Sequence, residues 1–224
     1  MASTAPLALE RAARRGAGAS AHNADLIRVL DVAIALIALA FLAPLLLMIA
    51  LLVALTSPGP VIFAQRRIGL GGQSFYCLKF RSMAIDAEAR LKALLAHDSA
   101  ARAEWARDHK LRDDPRVTRL GQLLRKTSLD ELPQLLNVLM GEMSIVGPRP
   151  IVSAECQRYG RYLADYCRVK PGLTGLWQIS GRSNLDYRRR VALDVLFSRH
   201  ISTPLYLRIL VMTVPAVLAT RGAY

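Results

Sequence analysis

The sequence predicts a mainly α-helical protein with a small β-hairpin, an α+β fold attached to a membrane from one side. Three observations support this prediction. Residues 32–55 form an uncharged apolar run. Two short strand-like segments flank a glycine-rich turn near residue 70, and most of the remaining chain is rich in helix-forming residues. The length of 224 residues accommodates one catalytic domain beside the apolar run, since a domain takes roughly 100–200 residues.

The composition narrows the class of protein. There are 30 Lys and Arg against 17 Asp and Glu, a formal charge of +13, and 53% of the residues are hydrophobic. Disorder of most of the chain is excluded because it requires low hydrophobicity, and the positive charge favours acidic partners. The three cysteines form no C-x-x-C pair and indicate reduced thiols in the cytosol. The four histidines fall at no metal-ligand spacing, which argues against a zinc site.

The apolar run predicts a retained membrane anchor. At about 1.5 Å per residue it could cross a hydrocarbon layer of roughly 30 Å, and a turn at residues 57–60 follows it instead of a signal-peptide cleavage site. Arginines lie before the run and after it, so both ends are expected in the cytoplasm. Pro44 near its midpoint would kink the helix. We therefore expect a re-entrant helix; the alternative is an ordinary span that tolerates a proline.

The chain divides into four predicted parts. These are a flexible cytosolic tail (1–25), the re-entrant helix (26–57), a cytosolic catalytic domain (58–203) and a C-terminal interfacial helix (204–224). In the domain, residues 61–65 and 74–80 predict a β-hairpin joined through glycines 69, 71 and 72. Helices are predicted over residues 84–110, over 117–125, and from 129 or 133 to 139. Residues 204–219 are apolar but short and include Arg208 and Pro215, which favours a helix in the membrane interface.

The acidic pair Asp130-Glu131 is the main candidate for chemistry. Basic residues precede it and few other acids lie nearby, so we expect both carboxyl pKa values to be lowered. A predicted helix start would also favour the ionised forms, which suit a nucleophile or a metal ligand better than a general acid. The structural alternative is a capping box, since Ser128 and Glu131 have the required spacing.

Three further segments are candidates for binding phosphate. Arg149 lies between two prolines that fix its backbone, and a rigid guanidinium binds phosphate in bidentate fashion. Lys79 and Arg81 share one face of an extended segment. Residues 170–178 contain two glycines and a proline and could approach a nucleotide closely. The structural alternatives are a turn with a solvated arginine for Arg149, an edge strand for Lys79 and Arg81, and a plain structural loop for residues 170–178.

Taken in order, these motifs resemble those of the bacterial sugar transferases. That family comprises the monotopic polyprenyl-phosphate phosphoglycosyl transferases, which initiate exopolysaccharide, capsule and O-antigen synthesis. The matching strings are SPGPVIF (57–63), KFRSM (79–83), DPRVTRLG (114–121), RKTSLDELPQ (125–134), NVL (137–139), MSIVGPRP (143–150) and KPGLTGLWQ (170–178). The apolar run with its central proline also looks like the re-entrant helix of this family.

The resemblance implies transfer of a sugar-1-phosphate from a UDP-sugar to undecaprenyl phosphate, with release of UMP, at the cytoplasmic face of the bacterial inner membrane. Asp130 would be the nucleophile that forms a covalent phosphosugar intermediate, and Glu131 would hold Mg²⁺ with it or assist the incoming lipid phosphate. Arg149 and Lys79 would bind phosphate, helped by Arg81 and Arg125. The remaining expected partners are inner-membrane lipids and a second copy of the chain in a homodimer, with no nucleic acid.

Two departures from the family pattern limit what is carried over. Many relatives have Ser before the central proline, where this chain has Ala43, and an Asp in the C-terminal segment is replaced within Leu205-Tyr206-Leu207-Arg208. The motifs leave the sugar open between galactose, glucose and N-acetylated sugars, with the first two preferred because the chain resembles the short exopolysaccharide branch. Two other functions remain alternatives: a membrane-tethered nucleic-acid binder, given the basic charge, and a non-catalytic scaffold.

Overall fold

In the described part of the chain the fold is mainly α-helical with two small β-sheets. The computed structural model describes residues 5–108, 111, 114–181 and 185–218, without the side chains of 5–22, 107, 108, 217 and 218. The helices are α1 Ala5–Thr56, α2 Ala87–His97, α3 Ser99–Asp108, α4 Arg119–Thr127, α5 Gln134–Met140, α6 Cys156–Tyr159, α7 Leu163–Tyr166, α8 Leu176–Ile179, α9 Tyr187–His200 and α10 Thr203–Leu218. The strands are β1 Ile62–Ile68, β2 Ser74–Phe80, β3 Ser144–Val146 and β4 Gly172–Thr174.

Helix α1 contains the predicted apolar segment. Residues Asn23–Thr56 are long and apolar enough to cross a membrane, yet only 11% of their most apolar window is buried in the protein. The core helix of a soluble protein would be mostly buried. This exposure fits a membrane-associated protein. The helix also includes residues 5–22, within the tail predicted to be flexible, and the four predicted parts remain predictions.

The two arms of α1 on either side of Pro44 pack against the same body. In the first arm Ile27 and Ala35 join a core cluster with side chains of α5, β3 and α10. In the second arm Ile49 and Val53 join a cluster with side chains of β2 and α4. The helix is continuous through the proline and is not divided into two separate helices. Contact of both arms with one body is what a re-entrant helix requires.

The predicted β-hairpin is confirmed. Strands β1 and β2 pair antiparallel, with Ile62 opposite Phe80 and Ile68 opposite Ser74. The outer edge of β2 is completed by a side chain of α5, because Asn137 Oδ1 accepts a hydrogen bond from Leu78 N at 3.0 Å and Asn137 Nδ2 donates to Tyr76 O at 2.8 Å. Asn137 is fully buried, so these bonds fix α5 against the hairpin.

The helix predicted over residues 84–110 is instead two helices, α2 and α3. Asp98 between them has an extended backbone (φ −115°, ψ 111°), and its carboxylate accepts a hydrogen bond from Ala101 N at 2.9 Å. Asp98 thus ends one helix and stabilises the start of the next. The predicted end of this segment at Lys110 lies outside the described residues. Helix α4 begins at Arg119, because Thr118 Oγ1 accepts a hydrogen bond from Gly121 N and caps it.

A second sheet and the four helices α6 to α9 were not predicted from the sequence. Strands β3 and β4 pair in parallel, with Ser144 opposite Gly172 and Val146 opposite Thr174. Part of the segment predicted as a loop (170–178) is therefore a strand, followed by the short helix α8. Helix α9, which Asp186 caps, was missed as well. Helix α10 lies where the C-terminal helix was predicted, although residues 219–224 lie outside the described residues and its location in the membrane interface stays a prediction.

Candidate active site

Asp130 and Glu131 lie on a tight turn between two helices. Helix α4 ends at Ser128, whose backbone is left-handed (φ 58°), and a single 3₁₀ turn, Leu129–Glu131, connects it to α5. The Ser128 side chain makes no capping hydrogen bond there, so the capping box considered as the structural alternative is not formed. The pair is therefore positioned by a sharp turn and not by a helix start.

Glu131 is held by cations from two other elements. Its Oε1 accepts a hydrogen bond from Lys79 Nζ on β2 at 2.5 Å and lies 3.8 Å from Arg149 Nη1. Burial acts to raise the pKa of Glu131, but the charges of Lys79 and Arg149 outweigh it and lower the pKa to about 2. Glu131 is therefore ionised throughout the physiological range, as the sequence predicted.

Asp130 differs from its neighbour. Its residue is 7% exposed, and among the described residues none donates a hydrogen bond to its carboxylate. Burial raises its pKa, with Glu131 adding to the effect, although Lys79, Arg125 and Arg149 oppose it. The prediction that both pKa values are lowered is thus wrong for Asp130, because the sequence showed the nearby cations but not the burial. The result is a carboxylate that is surrounded by positive charge but accepts no hydrogen bond from the part of the chain that the structure describes.

The loop that contains Arg149 is fixed by the second sheet. Gly147 N donates to Thr174 O at 2.8 Å and Gly172 N donates to Pro148 O at 2.7 Å. A methyl group on Gly147 would lie 2.4 Å from the backbone oxygen of Lys170, so only glycine allows this approach. The Arg149 side chain remains 45% exposed. A rigid backbone thus presents a guanidinium that can still reach a ligand.

Arg67 is a site residue that the sequence analysis missed. Its Nη1 donates to Pro150 O at 3.0 Å and lies 3.7 Å from Glu155, while its buried Nε has no hydrogen-bond partner among the described groups. Burial and the charge of Arg149 lower its pKa. The register of the hairpin could have identified Arg67 as a site residue. Alternate residues of β1 and β2 share a face, and this places Arg67 on the same side as Lys79.

The predicted helpers Arg125 and Arg81 have different positions. Arg125 Nε donates to Ser82 Oγ at 2.9 Å, and its charge acts on Asp130. Arg81 is buried and donates through Nη2 to Ser57 O at 2.6 Å, so it holds the turn that follows α1. The structure therefore brings Lys79, Arg125 and Arg149 around the acidic pair and places Arg81 elsewhere.

A shallow cleft opens at this cluster. It is lined by Arg67, Cys77, Lys79, Glu131, Gln134, Arg149, Pro150, Gly172 and Leu173. Asp130, the residue before Glu131, is not among these lining residues, although the charges of Lys79 and Arg149 act on it. Three cations line the cleft against one carboxylate, Glu131, and this excess of positive charge suits a substrate with several phosphate charges.

The side chains available as ligands decide whether a magnesium ion fits this site. No group of three or more His, Cys, Asp or Glu side chains in the described part of the chain could hold a metal ion. Mg²⁺ is commonly bound by one or two carboxylates together with substrate phosphates and water. A magnesium ion held by Asp130 and Glu131 together with a substrate diphosphate therefore stays a prediction.

The sequence matches a family of known proteins over most of its length. The family model described as bacterial sugar transferase matches residues 22–220. The chain is 49% identical over 197 residues to the exopolysaccharide production protein ExoY of Sinorhizobium fredii, covering 88% of this chain and 87% of that protein.

Two other relatives have names that specify substrates. The chain is 51% identical over 166 residues to the undecaprenyl-phosphate galactose phosphotransferase of Salmonella typhimurium, covering 74% of this chain and 35% of that protein. It is 42% identical over 205 residues to the UDP-glucose:undecaprenyl-phosphate glucose-1-phosphate transferase of Caulobacter vibrioides, covering 88% of this chain and 71% of that protein. The chain thus spans most of some relatives and about a third of another.

Proposed function

The chain belongs to the bacterial sugar transferase family, and we propose that it transfers a sugar-1-phosphate from a UDP-sugar to undecaprenyl phosphate. The products are undecaprenyl-diphosphate-sugar and UMP, and the reaction is the first membrane step of exopolysaccharide or related glycan synthesis. Support comes from the names of the relatives, two of which transfer galactose or glucose phosphates to undecaprenyl phosphate, and from the cationic cleft beside the two carboxylates.

The observation that supports the chemistry most directly is the difference between the two carboxylates. Glu131 is neutralised by Lys79 and Arg149, whereas Asp130 accepts no hydrogen bond from any described residue. A carboxylate without a hydrogen-bonded partner is the better nucleophile, and nearby cations offset its repulsion from a diphosphate. We therefore assign attack to Asp130.

The proposed reaction has two displacements at one phosphorus atom. In the first, an Asp130 carboxylate oxygen bonds to the sugar-bearing phosphorus, the bond from that phosphorus to the bridging oxygen breaks, and UMP leaves with the bridging oxygen. In the second, a phosphate oxygen of undecaprenyl phosphate bonds to the same phosphorus and the bond to Asp130 breaks. The carboxylate is regenerated and no external proton or electron is required.

The other residues of the site position and stabilise the phosphates. Lys79 and Arg149 face the cleft beside Glu131 and can shift from its carboxylate to phosphate oxygens, where charge develops. Arg67 fixes the end of the Arg149 loop through Pro150 O. Mg²⁺ held by Asp130 and Glu131 would supply further charge neutralisation on the diphosphate.

The location of the site fits a lipid acceptor. Helix α1 offers an exposed apolar surface, and both of its arms contact the body that contains the cleft. An anchor that re-enters the bilayer at the cytoplasmic face of the inner membrane would hold the cleft near the headgroups, where the phosphate of undecaprenyl phosphate lies.

Release of UMP tests this proposal. The detergent-purified chain is incubated with Mg²⁺, undecaprenyl phosphate and one of several donors: UDP-galactose, UDP-glucose or UDP-N-acetylated sugars. We expect release with at least one donor, dependent on Asp130 and abolished in Asp130→Asn, with Arg66→Gln as the control for loss of an exposed charge. Absence of release with every donor would favour a non-catalytic scaffold.

A further inference from the structure

A second pair of cations lies at the base of the membrane helix, in a region that the proposed reaction does not use. Arg28 on α1 and Lys170 before β4 both approach the glycine that ends α5. A methyl group placed on Gly141 would lie 3.6 Å from Arg28 Nη2 and 3.8 Å from Lys170 Nζ. Two positive charges from distant parts of the sequence therefore meet at one point.

The two cations are only partly compensated. Arg28 donates through Nη1 to Val138 O at 2.6 Å and through Nη2 to Leu139 O at 2.9 Å, which leaves N–H groups of the guanidinium for another acceptor. Lys170 makes no hydrogen bond or ion pair with any residue in the described ranges. Burial and the charge of Arg28 lower its pKa. A half-buried ammonium beside a guanidinium favours an anion between them.

The nearby acids are already engaged with other groups. Asp31 Oδ1 accepts hydrogen bonds from Ser144 Oγ, Ile145 N and Tyr206 Oη, at 2.7 to 2.9 Å. Glu142 accepts one from Asn137 Nδ2 at 2.6 Å. Neither acid forms an ion pair with Arg28 or Lys170 in the described part of the chain, although the charge of Asp31 acts on Lys170.

Exposed apolar residues adjoin this site in the sequence. Val29 next to Arg28 is 63% exposed, and Met140 next to Gly141 is 59% exposed. Arg28 itself precedes the uncharged run that begins at residue 32, which places it where an anchored helix meets the headgroups. A soluble anion would gain nothing from these apolar neighbours, whereas a lipid can contact the cations with its phosphate and the apolar side chains with its chains.

We propose that Arg28 and Lys170 form a binding site for the phosphate of a membrane lipid, separate from the catalytic cleft. The phosphate accepts hydrogen bonds from Lys170 Nζ and from the remaining N–H groups of Arg28, and the lipid chains lie along the exposed apolar surface of α1. The occupant is an anionic phospholipid of the bilayer, since the phosphate of the polyprenyl acceptor must reach the catalytic cleft instead. Occupation of the site would fix the depth of α1 relative to β3 and β4.

Native mass spectrometry of the full detergent-purified chain tests the site without any turnover. Dioctanoyl phosphatidic acid is the probe, and dioctanoyl phosphatidylcholine and inorganic phosphate are the comparison ligands. We expect phosphatidic acid to bind best and Lys170→Gln to weaken it about fivefold or more, as expected for loss of one cation at a lipid surface. Lys92→Gln removes the same charge from the exposed face of α2 and should bind as the wild type does.

The outcomes separate the proposal from its alternatives. The proposed site is wrong if phosphatidic acid binds Lys170→Gln as tightly as it binds the wild type. It is also wrong if Lys92→Gln loses as much affinity for phosphatidic acid as Lys170→Gln does. If inorganic phosphate binds in a Lys170-dependent way and phosphatidic acid does not bind, the site takes a free anion and the claim that its ligand is a lipid is wrong. Since Lys170 bonds to no described residue, the variant should melt at the wild-type temperature.

Kinetic measurements distinguish a bilayer phospholipid from the polyprenyl phosphate acceptor. Only this kinetic test rests on the proposed function. A higher KM for undecaprenyl phosphate in Lys170→Gln, with the KM for the UDP-sugar unchanged, would show that the acceptor is the occupant and would overturn the phospholipid. Loss of phosphatidic acid binding with both KM values unchanged identifies a bilayer phospholipid. A chain without transferase activity would leave the binding result intact, so failure of one claim is not failure of the other.

Discussion

At the scale of single residues, Asp130 and Glu131 show how neighbours in sequence acquire different properties. Lys79 and Arg149 contact Glu131 and hold its pKa at about 2, while burial raises the pKa of Asp130. The difference arises because the 3₁₀ turn directs the two side chains to different surroundings. The pKa values of the two carboxylates are therefore shifted in opposite directions.

We predict that the first chemical step loses rate at low pH as Asp130 becomes protonated. Its raised pKa means that the ionised nucleophile is lost as pH falls through a value above the ordinary 3.8, whereas Glu131 stays ionised. The measurement is single-turnover release of UMP from the UDP-sugar without acceptor, which removes the titration of the lipid phosphate.

Lys79→Met supplies the control for this assignment. Lys79 stabilises the ionised form of both carboxylates, so its removal should move the acidic limb of the profile to higher pH as well as slow the reaction. If the acidic limb of the pH–rate profile lies at the same pH in Lys79→Met as in the wild type, the group that titrates is not Asp130.

Asp194 leads to a prediction about stability. It is 2% exposed and accepts a hydrogen bond from Tyr159 Oη at 2.7 Å, and burial raises its pKa from 3.8 to about 7. Between these two values the folded protein holds a proton that the unfolded chain releases, so this group makes the fold less stable as pH rises.

Asp194→Asn should therefore raise the melting temperature at pH 8 and leave it nearly unchanged at pH 4.5. The gain should be a few kcal/mol at most, with about 2–4 °C for each kcal/mol in a chain of this size. Scanning fluorimetry of both proteins in the same detergent measures it. An equal change at both pH values would contradict the assigned cause.

At the scale of elements, the sequence predicted the strands and helices whose characteristic pattern lies within their own residues. The hairpin was found from its alternating apolar residues and glycines, and α4, α5 and α10 from composition. Strands β3 and β4 have three residues each and are stabilised by pairing with each other, so no periodic pattern showed them. The same limit applied to the site: Arg67 and the burial of Asp130 depend on contacts between separate elements, whereas Lys79 and Arg149 were found from motifs.

Asp31 connects three of these elements. It is buried in the first arm of α1 and accepts hydrogen bonds from β3 and from α10. Strand β3 continues directly into the loop that contains Arg149. The anchor and the catalytic loop are thus joined through one carboxylate.

Asp31→Ala should destabilise the protein more than Asp31→Asn. The alanine leaves three donors without an acceptor, at a cost of about 1–3 kcal/mol for each buried group, whereas the asparagine keeps one acceptor oxygen. Melting temperatures of the two variants in detergent measure the difference. Equal losses would show that the charge of Asp31, and not its acceptor oxygen, holds the three elements together.

At the scale of the whole molecule, two groups of basic side chains lie where phosphate is expected. One group of cations surrounds Asp130 and Glu131, and a second lies at the base of α1. Both regions belong to the body against which the two arms of α1 pack. A re-entrant anchor would place both at the headgroup level of one membrane face.

This topology predicts that both ends of the anchor are cytoplasmic. Single cysteines are introduced at Asn23 and Ser57, with the wild type as the background for the native cysteines. Neither should react with a membrane-impermeant maleimide in intact spheroplasts, and both should react after lysis. Labelling of one position before lysis would show that the helix spans the bilayer.

The most direct test of the account is the mass of the protein after incubation with the donor UDP-sugar and Mg²⁺ in the absence of acceptor. The account predicts a mass increase of one sugar phosphate, located on Asp130 by peptide mapping, absent in Asp130→Asn and removed when undecaprenyl phosphate is added. UMP release that needs the acceptor and leaves no adduct would contradict it, as would an adduct on Glu131.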